Sequence, residues 1–127
     1  MRVFKTRVFD RFARKAGLVD PALREAIDAA EKGLVNANLG GGVIKLRVAR
    51  QGGGKSDRFR TIILFRRSER AVFVYGCGKN ERDNVSVDEL AEFRRLATVM
   101  LAYSDDEILM AIETGALIKM SDDQAVP

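Results

Sequence analysis

Three consecutive glycines, Gly40-Gly41-Gly42, separate two hydrophobic periods, so this chain must combine helices and a sheet in one fold. Before the glycines the period is helical. Phe9, Phe12, Ala13 and Ala16 recur at i, i+3, i+4, i+7, predicting a helix that Gly17 ends. Asp20-Pro21 predicts a second helix start, with Asp20 as N-cap and Pro21 in the first turn. Leu23, Ile27, Ala30 and Leu34 then mark its buried face, and Gly33 its stop. A short strand from about Arg2 to Thr6 precedes this helical hairpin. The glycines read as the break between the helical part and the sheet.

After them the period is two. Ile44, Leu46 and Val48 point one way, Lys45 and Arg47 the other. Residues 51–57 form a Gly-rich loop. Phe59 to Phe65 is a second strand, with Phe59, Thr61, Ile63 and Phe65 on one face and Arg58 and Arg60 on the other beside Ile62 and Leu64. Ser68-Glu69 makes a tight turn into a third strand, Ala71 to Cys77, and the three strands read as an antiparallel meander. Ser86 with Glu89, and Ser104 with Glu107, are capping boxes that open two C-terminal helices. The first carries Leu90, Phe93, Ala97 and Leu101; the second carries Ile108, Ala111 and Ile112 and stops at Gly115. Ser121 to Pro127 reads as a polar, frayed tail.

The charges are segregated. Residues 42–70 hold nine basic residues against two acidic ones, whereas residues 81–127 hold four against eleven. A solubilising surface mixes signs. Like charges facing each other across strands cost some tenths of a kcal/mol to about 1. A strip that accepts this cost points to a polyanion. Its aromatics divide by alternation: Phe59 and Phe65 face the core, and Tyr75 is half-buried packing rather than a base-stacking platform.

Composition narrows the chemistry. With 127 residues, 46% of them hydrophobic, the chain suits one domain with one modest core. No apolar run approaches the roughly 20 residues of a membrane span, and the N-terminus lacks a signal-peptide stretch. The single cysteine, Cys77, excludes an internal disulfide, reads as a small buried hydrophobe and suggests a reducing, cytoplasmic setting. There is no histidine. A His-based triad is therefore excluded and a structural zinc site effectively so; no metal or cofactor is expected, and proton transfer would fall to Lys, Arg, Tyr, Asp or Glu. Gly53-Gly54-Lys55-Ser56 is not a P-loop: Ala49 occupies the required first glycine and a strand, not a helix, follows. It reads as a hairpin loop presenting Lys55.

The stretch from Leu39 to Arg50, then Gly-Lys-Ser-x-x-Phe-Arg-Thr-Ile-Ile-Leu-Phe, then Val-Tyr-Gly-x-x-Lys-Asn-Glu-Arg-x-Asn resembles the RelE/ParE superfamily of type II toxins, most closely its RelE-type, addiction-module branch. The resemblance runs from Val3-Phe4-Lys5-Thr6 to the Asp88-Glu89-Leu90 helix. It implies an α+β fold of two N-terminal helices packed on a twisted antiparallel sheet of about four strands, with C-terminal helices, and a single toxin domain over residues 1–120. It also implies ribosome-dependent mRNA cleavage, or gyrase inhibition in the ParE branch. A nucleic-acid-binding module without toxicity is the third alternative. The implied partners are mRNA, the ribosome and a helix-turn-helix antitoxin encoded in a neighbouring gene, with operator DNA reached only through the antitoxin complex and no membrane.

Carried over by position, Lys45 is the implied proton-transfer residue, Arg60 and Lys79 stabilise the phosphate, and Arg47, Arg50, Lys55 and Arg82 grip RNA. Asp57-Arg58 stands where many relatives have Gly-Gly. Asn80 stands where some have a catalytic arginine, and no tyrosine follows Asn84-Val85, where some relatives have a catalytic one.

Overall fold

The computed structural model describes residues 1–50, 58–78 and 85–120. Its elements run β1 (Arg2–Thr6), α1 (Arg7–Ala16), α2 (Asp20–Glu31), β2 (Ala37–Gly40), β3 (Val43–Ala49), β4 (Arg58–Arg66), β5 (Arg70–Gly78), α3 (Val87–Met100), α4 (Asp105–Glu113) and β6 (Leu117–Lys119). The strands form one sheet in the order β2-β3-β4-β5-β1-β6. The fold is α+β as expected, but the sheet has six strands rather than about four and is mixed, because β1 lies parallel to β5 while β6 returns antiparallel to β1.

The glycine triplet does not separate helices from sheet. It turns a hairpin inside the sheet. Ala37 pairs with Lys45 and Gly40 with Val43, so Gly41-Gly42 is a two-residue hairpin loop. Both residues have positive φ, 63° and 86°, as a type I′ turn requires. The added strand, β2, carries no apolar alternation of its own.

Each face of the sheet buries one apolar layer. Val3, Ile44, Leu46, Val48, Ile63 and Phe73 pack against Phe9 and Ala13 of α1 and Leu23 and Ile27 of α2. Phe4, Val43, Ile62, Leu64 and Val72 pack against Ala97 and Met100 of α3 and Ile108 of α4. The predicted alternation on β3 and β4 therefore holds, and both faces are covered. Where α1 crosses β5, a Cβ added to Gly76 would lie 2.2 Å from the Phe12 ring. Gly76→Ala should thus cost about 1–3 kcal/mol, read as a lower denaturation midpoint, and Phe12→Leu in the same chain should recover part of it.

Both predicted capping boxes are present, with each serine hydroxyl accepting from the N3 amide and each glutamate accepting from the serine N–H. The start of α2 differs from expectation. Its N-cap is Val19, which makes no side-chain cap bond, and Asp20 is the first helical residue. The Asp20 carboxylate instead accepts from the Lys5 ammonium at 2.8 Å, a charge-assisted bond to a buried cation that outweighs a surface cap. Leu34 is not on the buried face. The helix has ended at Glu31, Gly33 sits at φ 89°, and the Leu34 N–H turns back to the Ala29 carbonyl, leaving the side chain 67% exposed.

Candidate RNA-binding site

Alternation on β3 puts Val43, Lys45 and Arg47 on the face that carries α3 and α4. Val43 is buried beneath those helices, Lys45 is half-buried and Arg47 is exposed. On β4 the same face runs from buried Leu64 and Ile62 through half-buried Arg60 to exposed Arg58. The helices thus cover one end of this face and leave the other end to the bases. Antiparallel register sets Arg47 directly opposite Arg60, and Arg60 opposite Cys77. Lys45 lies opposite Ile62, and Ile62 opposite Tyr75. Cys77 is buried, and the half-buried Tyr75 ring lies 5.9 Å from Phe93 of α3. Lys45, Arg47 and Arg60 are therefore gathered at one uncovered end of the sheet.

The rest of the basic strip divides from this group by what it bonds. Helices leave their last carbonyls without intrahelical partners and carry negative potential at that end. Arginines from the strip supply donors there. Arg67 Nε donates to the Glu31 carbonyl at the end of α2 at 2.9 Å. Arg66 donates to the Leu101 carbonyl at the end of α3, and Arg70 to the Met100 and Tyr103 carbonyls. Burial, reinforced by the charges of Arg2 and Arg66, pushes the Arg70 guanidinium below its ordinary pKa. Neither α2 nor α3 has a basic residue in its own last turn, so the sheet provides what the helices lack.

Arg50, expected with the RNA grips, belongs to this capping group. It lies past the end of β3 in the phase of Val48 and so on the side of α1. Its Nε donates to the Ala16 carbonyl at 3.0 Å, and its guanidinium lies over the Phe59 ring at 5.5 Å. The structure does not bring it together with Lys45, Arg47 and Arg60. Lys55, Lys79 and Arg82, with Asp57 and Asn80, lie outside the described residues. Arg58 carried no role in the sequence reading, although its parity with Arg60 was the signal that places it on the same face.

The family model for the RelE toxin of the RelE / RelB toxin-antitoxin system matches residues 1–120. The chain belongs to the RelE toxin family. A toxin role and a RelB-type antitoxin as partner follow from that membership. No curated protein matches this RelE-family chain. Among its described residues no helix is long and apolar enough to cross a membrane.

Proposed function

We propose that this RelE-family toxin is a ribosome-dependent mRNA endonuclease acting in the cytoplasm, with residues 1–120 as its single toxin domain. The observation that carries the reading is the division of the basic strip. Four of its arginines bond helix-terminal carbonyls, whereas Lys45, Arg47 and Arg60 sit together where the helices leave the sheet uncovered.

The reaction this group suits is attack of a ribose 2′-oxygen on the neighbouring phosphorus. The O2′–P bond forms, the P–O5′ bond breaks, and the strand ends are a 2′,3′-cyclic phosphate and a 5′-hydroxyl. One proton leaves the 2′-OH and one reaches the departing 5′-oxygen. The phosphorane-like transition state carries extra negative charge. In a chain without histidine, lysine and arginine are the residues to meet these demands. Lys45 is assigned proton transfer, Arg60 with Lys79 the phosphate charge, and Arg47 with Lys55 and Arg82 the grip on RNA. Positioning of the scissile bond falls to the ribosome, which suits an open sheet end rather than a deep pocket.

Induced expression should arrest translation and leave cuts with 5′-hydroxyl ends inside translated codons. The Arg60→Ala/Lys79→Ala double variant should relieve the arrest; wild-type toxicity in that variant would defeat the site assignment. Growth arrest with intact mRNA and DNA-damage signalling would instead select gyrase inhibition.

A further inference from the structure

β2 does not run the full length of its neighbour. The Asn36 N–H bonds the Lys45 carbonyl, and the Asn36 side-chain oxygen takes the Arg47 N–H at 2.7 Å. Beyond that point no described strand flanks β3 on this side. Alternation aims the Arg47 carbonyl and the Ala49 N–H and carbonyl outward along this edge, since the even-numbered residues bond toward β4. Unpaired strand edges are templates for an added strand, and natural folds usually cover them.

This edge borders a groove of about 470 Å³. Its far wall is α2, which presents only small side chains, Ala22, Ala26 and Ala29, at three- and four-residue spacing. Three arginines, Arg47, Arg50 and Arg58, line the groove against one acid, Glu25. Open backbone groups, a wall of alanines and a net positive rim are together the requirements of an extended acidic peptide. A nucleic acid has no use for the strand edge.

We infer that this groove seats an extended, acidic segment of the RelB-type antitoxin, which adds as a strand to β3 beyond Arg47. The inference rests on the toxin reading for its partner and adds a mode of inhibition. Arg47 is shared between the groove and the basic cluster, so a seated segment takes one cation of the cluster out of play and covers its approach. Main-chain bonds to Arg47 and Ala49 give the pairing, and acidic side chains meeting Arg58 and Arg47 give the selectivity.

The test is affinity for the RelB-type antitoxin, measured by calorimetric titration, with a short oligouridylate as the RNA probe. Ala49→Pro removes one outward N–H at an edge position, where proline breaks no bond to β4. It should weaken the antitoxin by about tenfold with an unchanged thermal midpoint. Arg58→Glu, at an exposed position, should weaken it as well. The Ala49 amide should exchange more slowly in the wild-type complex than in free toxin. Wild-type antitoxin affinity in both variants would overturn the assignment. So would loss of oligouridylate binding in Arg58→Glu with antitoxin affinity intact, which would make the groove an RNA seat. Failure of the antitoxin to bind the wild-type toxin would remove the partner itself. None of these readouts depends on RNA cleavage, so a toxin that proved to act on gyrase would give the same binding results.

Discussion

Replacing Arg60 with alanine is expected to lower mRNA cleavage by about 10²–10³-fold, the range seen when one donor to transition-state charge is lost. Arg60 holds the middle of the row Arg47–Arg60–Cys77 and is half-buried, while Arg47 at the rim is exposed. A cation partly withdrawn from water acts on developing charge more strongly than one at the surface. The two positions should therefore separate kinetically in a ribosome-programmed cleavage assay. Arg60→Ala should chiefly lower kcat, and Arg47→Ala should chiefly raise KM. Arg60→Lys should retain only part of the rate, since it keeps the charge but loses the guanidinium fork.

The capping arginines supply the control. Arg70→Ala removes two bonds to carbonyls at the end of α3 and should lower the denaturation midpoint while leaving kcat per folded molecule near wild type. If Arg70→Ala matched Arg60→Ala in lost cleavage at unchanged stability, the division of the strip into caps and site would be wrong.

That division also marks the limit of what the sequence makes legible. A capping box closes within four residues, so Ser86-Glu89 and Ser104-Glu107 can be read locally, and the structure contains both. Strand parity is equally local and correctly assigns Lys45 and Arg47 to one face with Arg60 opposite. Parity also separated Arg50 from Arg47, a consequence the charge count obscured. The use of Arg66, Arg67 and Arg70 is different. Their partners, Leu101, Glu31 and Met100, are 30 to 36 residues away and are chosen by where helices end in space. β2 and β6 escape for a related reason. Ala37–Gly40 and Leu117–Lys119 are too short to show a period, and the strands beside them create them. The parallel pairing of β1 with β5 joins segments nearly 70 residues apart, with no local signature.

The second large effect is on stability and centres on Lys5. Its alternation on β1 turns the side chain toward α1 and α2, where only 11% of it remains exposed. The ammonium bonds Asp10 of α1 at 3.0 Å and Asp20 of α2 at 2.8 Å, and the second Asp10 oxygen meets Arg14 at 2.9 Å. One buried cation thereby ties the strand to the first turns of both helices. Burial alone would push the Lys5 ammonium down, but the hydrogen bonds and charges of Asp20 and Asp10 outweigh it and hold its pKa above the ordinary lysine value. Burial would push the Asp10 carboxyl up, yet Lys5 and Arg14 together hold it below the ordinary aspartate value. Lys5→Met should cost about 3–5 kcal/mol, because it strands a buried carboxylate whose remaining partner, Arg14, is mostly exposed. Lys5→Met/Asp10→Leu should recover much of that loss, since no buried charge is then left unpaired. The pH dependence follows from the signs. The lowered Asp10 contributes stability above its unfolded pKa, about 4, and that contribution is lost as pH falls through the lower folded value. The raised Lys5 contributes fully below its unfolded pKa, about 10.4, and its contribution is lost as pH rises through the higher folded value. Denaturant titrations of wild type and Lys5→Met should therefore differ most between these limits and converge in acid, where Asp10 is protonated in both; a gap that persisted undiminished in acid would mean that Lys5 stabilises through packing of its methylenes rather than through charge.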